Sequence, residues 1–329
     1  MNNHIQHLLS IWSSQRDQCQ WVLGTVYQTR GSAYRKAGSH MLFNDAGQYY
    51  GLLSGGCLER DLHKKAMSVL YKGAAITVHY DSTESDSEAY KLGLGCGGIV
   101  DILLQPILPE NNYLNLSTLL YELENNRSVV YRQYIPKDDD GIILSDLGKA
   151  SNTDTVCVEK NNGIWLHSSI SPLPNILIFG GGADARPLVS MASQMGWLVY
   201  LVDSRPANAR YEHFPSATRI EYCKPNDVKS CSWYQSINAV IIMMHNTELD
   251  ALALQTLCKL TPESLNYCAL LGPIHRKREV LEMALLGESE LPFILSSPAG
   301  LDIGSELPEE IALSILAEYQ LIRYQEKKV

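Results

Sequence analysis

Asn175-Ile176-Leu177-Ile178-Phe179-Gly180-Gly181-Gly182-Ala183-Asp184-Ala185 is the stretch on which the fold turns. Five residues of strand-like, apolar character run straight into G-x-G-x-x-A, and a helical pattern follows over about 184–196. Each part of that pattern has a physical task. The first glycine makes a tight strand-to-helix turn. The second lets backbone approach a pyrophosphate, and the small third residue lets helix and strand pack closely. The helix N-terminus then offers unpaired N–H groups to phosphate charge. Asp203 closes the next strand about twenty residues on, where a carboxylate binds ribose hydroxyls. Gly180, Gly181, Gly182, Ala185 and Asp203 are therefore expected to hold a nucleotide. Arg205 stands two residues further, able to contact an adenine face or a 2′-phosphate, or simply to form a surface ion pair, so NAD and NADP both stay open.

Outward from this loop, strands and helices alternate. Strands are expected at 176–179, 198–202, 219–222, 239–244 and 268–271, and helices at 184–196, 247–260, 276–286 and 308–324. Alternation of this kind is the signature of a parallel sheet with crossover helices. Ser171-Pro172-Leu173-Pro174 precedes it, and paired prolines there suit a linker. The expected domains are 1–170 and 171–329. The first half reads differently. A helix opens it, with Ile5, Leu8, Leu9 and Trp12 on one face. Strands follow at 21–27, 40–43 and 49–53, the last two flanking the turn Asn44-Asp45-Ala46-Gly47. A helix carries Leu58, Leu62, Ala66, Val69 and Leu70 on one stripe and stops at Gly73. More strands are expected at 75–80 and 99–104. The fold class is thus α/β: a mixed N-terminal domain and a C-terminal Rossmann-like domain with a parallel sheet.

Composition narrows the function. The chain has 329 residues, 45% apolar and 19% charged, with a net charge of −9. A nucleic-acid or anionic-membrane binder would ordinarily be basic. No export signal is legible, and apolar runs such as Ala239–Met244 are far too short to span a bilayer. The eight cysteines are dispersed, without C-x-x-C or a zinc spacing. These features point to the cytoplasm and to reduced thiols.

Two cysteines sit in unusual surroundings. Cys57 lies in Ser54-Gly55-Gly56-Cys57-Leu58-Glu59, at a turn opening a helix, where the N-terminus favours a thiolate. Cys96 lies in Gly93-Leu94-Gly95-Cys96-Gly97-Gly98, whose backbone can come close to a ligand. Thiolates are soft donors for transition metals or for sulfur. At the strand ends of the second half, His245 with Asp250, Gly272-Pro273 with Arg276, and Pro298–Gly304 read first as turns and caps.

Taken together, these motifs resemble the XdhC/CoxI family. Gly31-Ser32 through Arg35 and Gly38, the Gly55–Glu59 turn and Leu94–Gly98 are similar to its N-terminal domain. Phe179–Gly182, Val202-Asp203-Ser204-Arg205-Pro206, His245 with Asp250, Leu271-Gly272-Pro273 and the run from Pro298 to Ala312 are similar to its Rossmann domain. Tyr34, Ser54 and Met244 stand where the family often has proline, a third glycine and threonine. The resemblance implies an accessory chaperone rather than a turnover enzyme. Such a protein would bind molybdenum cofactor (molybdopterin), support its sulfuration and insert it into an apo molybdenum hydroxylase of the xanthine dehydrogenase type. It implies that Cys57 and Cys96 contact the metal or its sulfur, with Gly55, Gly56, Gly95, Gly97 and Arg35 around the cofactor. Arg30 and Lys36 would help neutralise its phosphate. Gly180–Ala185, Asp203, Arg205 and His245 would hold a nucleotide, NAD(P) or another, or a phosphate-bearing part of the cofactor. A cysteine desulfurase partner and a homodimer are further expectations, with neither nucleic acid nor membrane as a partner. An NAD(P)-dependent oxidoreductase and a nucleotide-sensing module remain as alternatives.

Overall fold

The structure is a computed structural model of the whole chain and describes residues 3–56, 58–83, 97–137, 141–150, 155–160 and 163–326. It divides into two compact units, Met1–Pro172 and Leu173–Val329.

The first unit opens with helix α1 (Ile5–Gln15), whose buried face carries Ile5, Leu8, Leu9 and Trp12. Strands β1 (Trp21–Arg30), β2 (His40–Asn44), β3 (Tyr49–Gly51), β4 (Ile76–Asp81) and β5 (Ile99–Ile107) form one antiparallel sheet in the order β3-β2-β1-β5-β4. Helix α2 (Glu59–Lys72) lies on one face, burying Leu62, Ala66 and Val69 against Val22, Val26 and Ile102. It ends at Gly73 in the left-handed conformation (φ 64°), which a residue without Cβ adopts freely. The sheet's order puts three connections at one end: the loop after β1, the turn before α2 and the segment between β4 and β5.

The region from 106 to 170 builds helix α3 (Leu116–Glu124), where the sequence pattern of Leu116 to Leu123 suggests a helix, and a second antiparallel sheet. Its strands are β6 (Val129–Ile135), β7 (Ser145–Lys149), β8 (Val156–Lys160) and β9 (Gly163–Ile170), in the order β7-β6-β9-β8.

The second unit is a six-stranded parallel sheet. Its strands are β10 (Asn175–Phe179), β11 (Leu198–Val202), β12 (Arg219–Glu221), β13 (Ala239–Ile242), β14 (Tyr267–Leu270) and β15 (Leu295–Ser296). The order is β12-β11-β10-β13-β14-β15. That is the 3-2-1-4-5-6 order of a doubly wound dinucleotide fold, whose ligand crevice lies at the carboxyl ends of the strands where the order reverses. Strands β10, β13 and β14 are buried along their whole length, so they read as unbroken apolar runs without alternation. Two hydrophobic cores cover the faces. Helices α4 (Ala185–Gln194) and α7 (Pro308–Glu326) pack on one, and α5 (Thr247–Lys259) and α6 (Ile274–Ala284) on the other. The short edge strand β15 carries no sequence signal and was not expected. The fold is the α/β class expected, with the Rossmann-type sheet in the C-terminal half.

Candidate functional site

In the first unit, three glycine-bearing segments meet. A Cβ on Gly98 would lie 2.1 Å from the carbonyl oxygen of Ser32 and 2.9 Å from that of Arg30. One on Gly31 would lie 3.3 Å from the carbonyl oxygen of Gly97. One on Gly55 would touch the Tyr34 ring at 3.3 Å. Backbone thus packs on backbone, which only glycine permits. The loop bearing Arg35, the turn preceding Cys57 and the segment following Cys96 form one surface. Ser32, Tyr34, Ser54, Ser82 and Gly98 line a small cavity at their junction.

Each segment is tied down locally. Glu59, the first residue of α2, is 2% exposed, yet both carboxylate oxygens are satisfied. Oε1 accepts the Leu53 and Ser54 amides at 3.2 and 2.9 Å, and Oε2 accepts the Ser54 hydroxyl at 2.6 Å. The Ser54 Oγ in turn accepts the Leu58 amide at 2.8 Å, closing the turn around position 57. Burial pushes the Glu59 carboxyl up, but these hydrogen bonds outweigh it and leave its pKa below the ordinary value. The Ser82 Oγ bridges the Gly98 carbonyl and amide at 2.7 and 3.0 Å, fixing the start and end of the β4–β5 connection against each other. Gly56 (φ 110°) and Gly97 (φ 67°) are exposed, and no described residue lies within 4 Å of a Cβ position on either. The Arg35 Nε is buried and has no hydrogen-bond partner among the described residues. The exposed backbone at Gly56 and Gly97 leaves room for a ligand to lie against these loops.

The structure therefore brings Gly55, Gly56 and Gly97 to one place, with Arg35 on the same loop as Tyr34. Cys57, Gly95 and Cys96 lie outside the described residues. Among the described residues no set of three His, Cys, Asp or Glu side chains is arranged to hold a metal. Glu59, Tyr34 and Ser82 were not anticipated. Glu59 reaches back five and six residues to the turn, a contact with no spacing signature in the sequence.

In the second unit, Gly180 turns at φ 118° with its Cα against the Met243 carbonyl. The Gly180 amide donates to the Val202 carbonyl at 2.9 Å. Asp203 follows β11 as the sequence implied. It is completely buried, and its oxygens accept from Gly181, Arg205 and Asn208. Burial pushes this carboxyl up; the donors, Arg205 foremost, bring its pKa below the ordinary value. Arg205, for which a base or 2′-phosphate contact and an ion pair were both open, is paired with Asp203 at 2.7 Å. His245 adopts φ 55° at the end of β13 and places its Nε2 3.2 Å from Asp184 Oδ2. Asp250, also fully buried, accepts the Met244 amide at 3.0 Å and pairs with Arg276 at 2.5 Å.

Comparison with known proteins agrees with these two halves. The sequence pattern of the XdhC and CoxI family matches residues 14–81, and that of the XdhC Rossmann domain matches 176–319. A Bacillus subtilis protein, named as a probable subunit of xanthine dehydrogenase, is 31% identical over 315 residues, spanning 92% of this chain and 93% of its own length. The Escherichia coli molybdenum cofactor insertion chaperone PaoD is 23% identical over 311 residues, covering 93% of this chain and 85% of its own. A crystal structure of a xanthine dehydrogenase from Bacillus halodurans superposes with a TM-score of 0.79 at 30% identity, across 98% of this chain and 96% of that one. On the full-length relative and both sequence patterns, the chain belongs to the XdhC and CoxI family.

Proposed function

We propose that this chain binds molybdenum cofactor and delivers it to a molybdenum hydroxylase of the xanthine dehydrogenase type. The observation that carries the reading is the convergence of the 31–35 loop, the 53–58 turn and the 97–98 segment on one surface of the first unit. The names of its relatives support the same direction: one is an insertion chaperone for that cofactor, another a probable component of xanthine dehydrogenase.

The chemistry of the residues suits this cargo. Thiolates are strong ligands for soft metals and natural acceptors of sulfur, so Cys57 and Cys96 are the proposed contacts to the metal centre. In sequence Cys57 stands two positions before α2, which begins at Glu59. Arg35, whose buried Nε has no partner among the described residues, is the proposed partner of the cofactor's phosphate, aided by Arg30 and Lys36. Gly56 and Gly97, bare toward solvent, let a flat ring system lie against backbone. Support of sulfuration, with a cysteine desulfurase as source, is the finer part of the proposal and belongs to the same two thiols. Residence in the cytoplasm belongs to the same reading; no described helix is long and apolar enough to cross a membrane.

The test is cofactor retention and transfer by the purified chain, kept anaerobic, beside Cys57→Ser and Cys96→Ser. Retained cofactor that activates an apo-hydroxylase, lost in either serine variant, is the expected result. A wild type that retains none, or serine variants that retain it equally, would sink the proposal.

A further inference from the structure

The glycine loop of the second unit implies a dinucleotide, and the residues around it do not fit one. A dinucleotide site needs two things from this motif: a carboxylate with lone pairs free for the ribose diol, and glycine backbone open to the pyrophosphate. Asp203 offers neither an open face nor a free lone pair. A carboxylate has about four acceptor positions. Five N–H groups already converge on it. The Gly181 amide donates to Oδ2 at 2.7 Å, Arg205 donates through its backbone amide, Nε and Nη2 at 2.8, 2.9 and 2.7 Å, and Asn208 Nδ2 donates at 3.2 Å. The residue has no accessible surface.

The Gly181 side of the loop is covered as well. The carbonyl oxygen of Asn208 would lie 2.7 Å from a Cβ on Gly181, and the segment bearing it is pinned by amides of Asn208 and Ala209 donating to the Arg205 carbonyl at 3.0 and 3.2 Å. On the Gly182 side, which stays partly exposed, the half-exposed His245 ring lies 3.6 Å from a Cβ position and pairs with Asp184 at 3.2 Å. Gly182 is the glycine through which the motif admits phosphate.

We infer that this Rossmann unit is closed to nicotinamide dinucleotides, and that Asp203 is a lock on the glycine loop rather than a ribose ligand. The same motif letters serve a different end: the acid that would bind ribose binds the loop's own amide. The inference does not rest on the cofactor role proposed for the first unit. It counts against the oxidoreductase reading of the sequence.

The experiment is titration of the full-length chain with NADH and NADPH, read by equilibrium dialysis and nicotinamide fluorescence, beside thermal melts of Asp203→Asn and Arg205→Ala without ligand. The wild type should show no saturable binding of either nucleotide up to about 1 mM, a level that already represents weak binding. Arg205→Ala, which removes two side-chain donors and spares the backbone one, should melt several degrees lower, and Asp203→Asn lower still or fail to fold. Saturable binding below about 1 mM would overturn the inference. Unchanged melting of Arg205→Ala would overturn the lock.

Discussion

Glu59 and His40 are buried ionisable residues that meet burial in opposite ways. Glu59 keeps its charge because three donors from residues 53 and 54 surround it. In Glu59→Gln an amide NH₂ would face amide and hydroxyl donors, leaving buried groups unmatched. The expected cost is about 1–3 kcal/mol in urea unfolding, with faster alkylation of Cys57 as its turn loosens. A variant as stable as the wild type, with an unchanged alkylation rate, would contradict that role. His40 is fully enclosed, and burial, with Arg35 and His4 adding like charge, lowers its pKa to about 4. The unfolded chain therefore binds one more proton than the folded one between the ordinary histidine value near 6.5 and about 4. A lowered value means stability present at neutral pH and lost as pH falls through that window. The loss due to His40 should be roughly 2–3 kcal/mol between pH 7 and pH 4. Urea midpoints measured across the window should fall less steeply in His40→Gln, and parallel curves would show that His40 contributes nothing.

At the scale of elements, the glycine contacts make a graded prediction. Ala at position 97 meets no described neighbour and is expected to carry only the left-handed backbone penalty of about 1–2 kcal/mol. Ala at position 98 drives a methyl into the Ser32 carbonyl, and neither partner is a flexible side chain. Gly98→Ala should cost roughly 3 kcal/mol or more and abolish cofactor retention, whereas Gly97→Ala should fold. Equal effects in denaturation and retention assays would mean that the two loops do not meet as described. How much of this was legible follows from burial. Strands β10, β13 and β14, enclosed on both faces, announce themselves as apolar runs, and α2 shows a clean stripe ending at a glycine. Strands β7 and β8 were illegible because they bury almost nothing; without a wet and a dry face, no alternation is selected. The site divides the same way. The glycines declared themselves, since their conformations restrict residue choice. The task of Asp203 did not, because a ribose ligand and a loop lock share one sequence pattern. They separate only when Arg205 and Asn208 fold back onto the carboxylate.

For the whole molecule, the division of labour between the units is open to direct test. The cores of Leu173–Val329 share no residue with those of Met1–Pro172. The second unit holds all six strands of its sheet and closes one face with α7. There Tyr319 stacks on Tyr267, meets Trp197 edge-on, and lies one residue beyond Glu318, which accepts the Tyr267 hydroxyl. A unit with complete layers and its own core is expected to fold alone. Expressed separately, Leu173–Val329 should melt cooperatively, and Tyr319→Ala should lower that transition in the fragment and in the full chain alike, costing about 3–5 kcal/mol. Every residue proposed to touch the cofactor lies in Met1–Pro172. A folded N-terminal fragment should therefore retain molybdenum cofactor, while the C-terminal fragment, folded or not, should retain none. Retention by the C-terminal fragment alone would move the binding surface to the strand ends around His245 and refute the assignment to Cys57 and Cys96. Retention only by the full chain, with the N-terminal fragment folded, would likewise refute the assignment of every cofactor contact to Met1–Pro172.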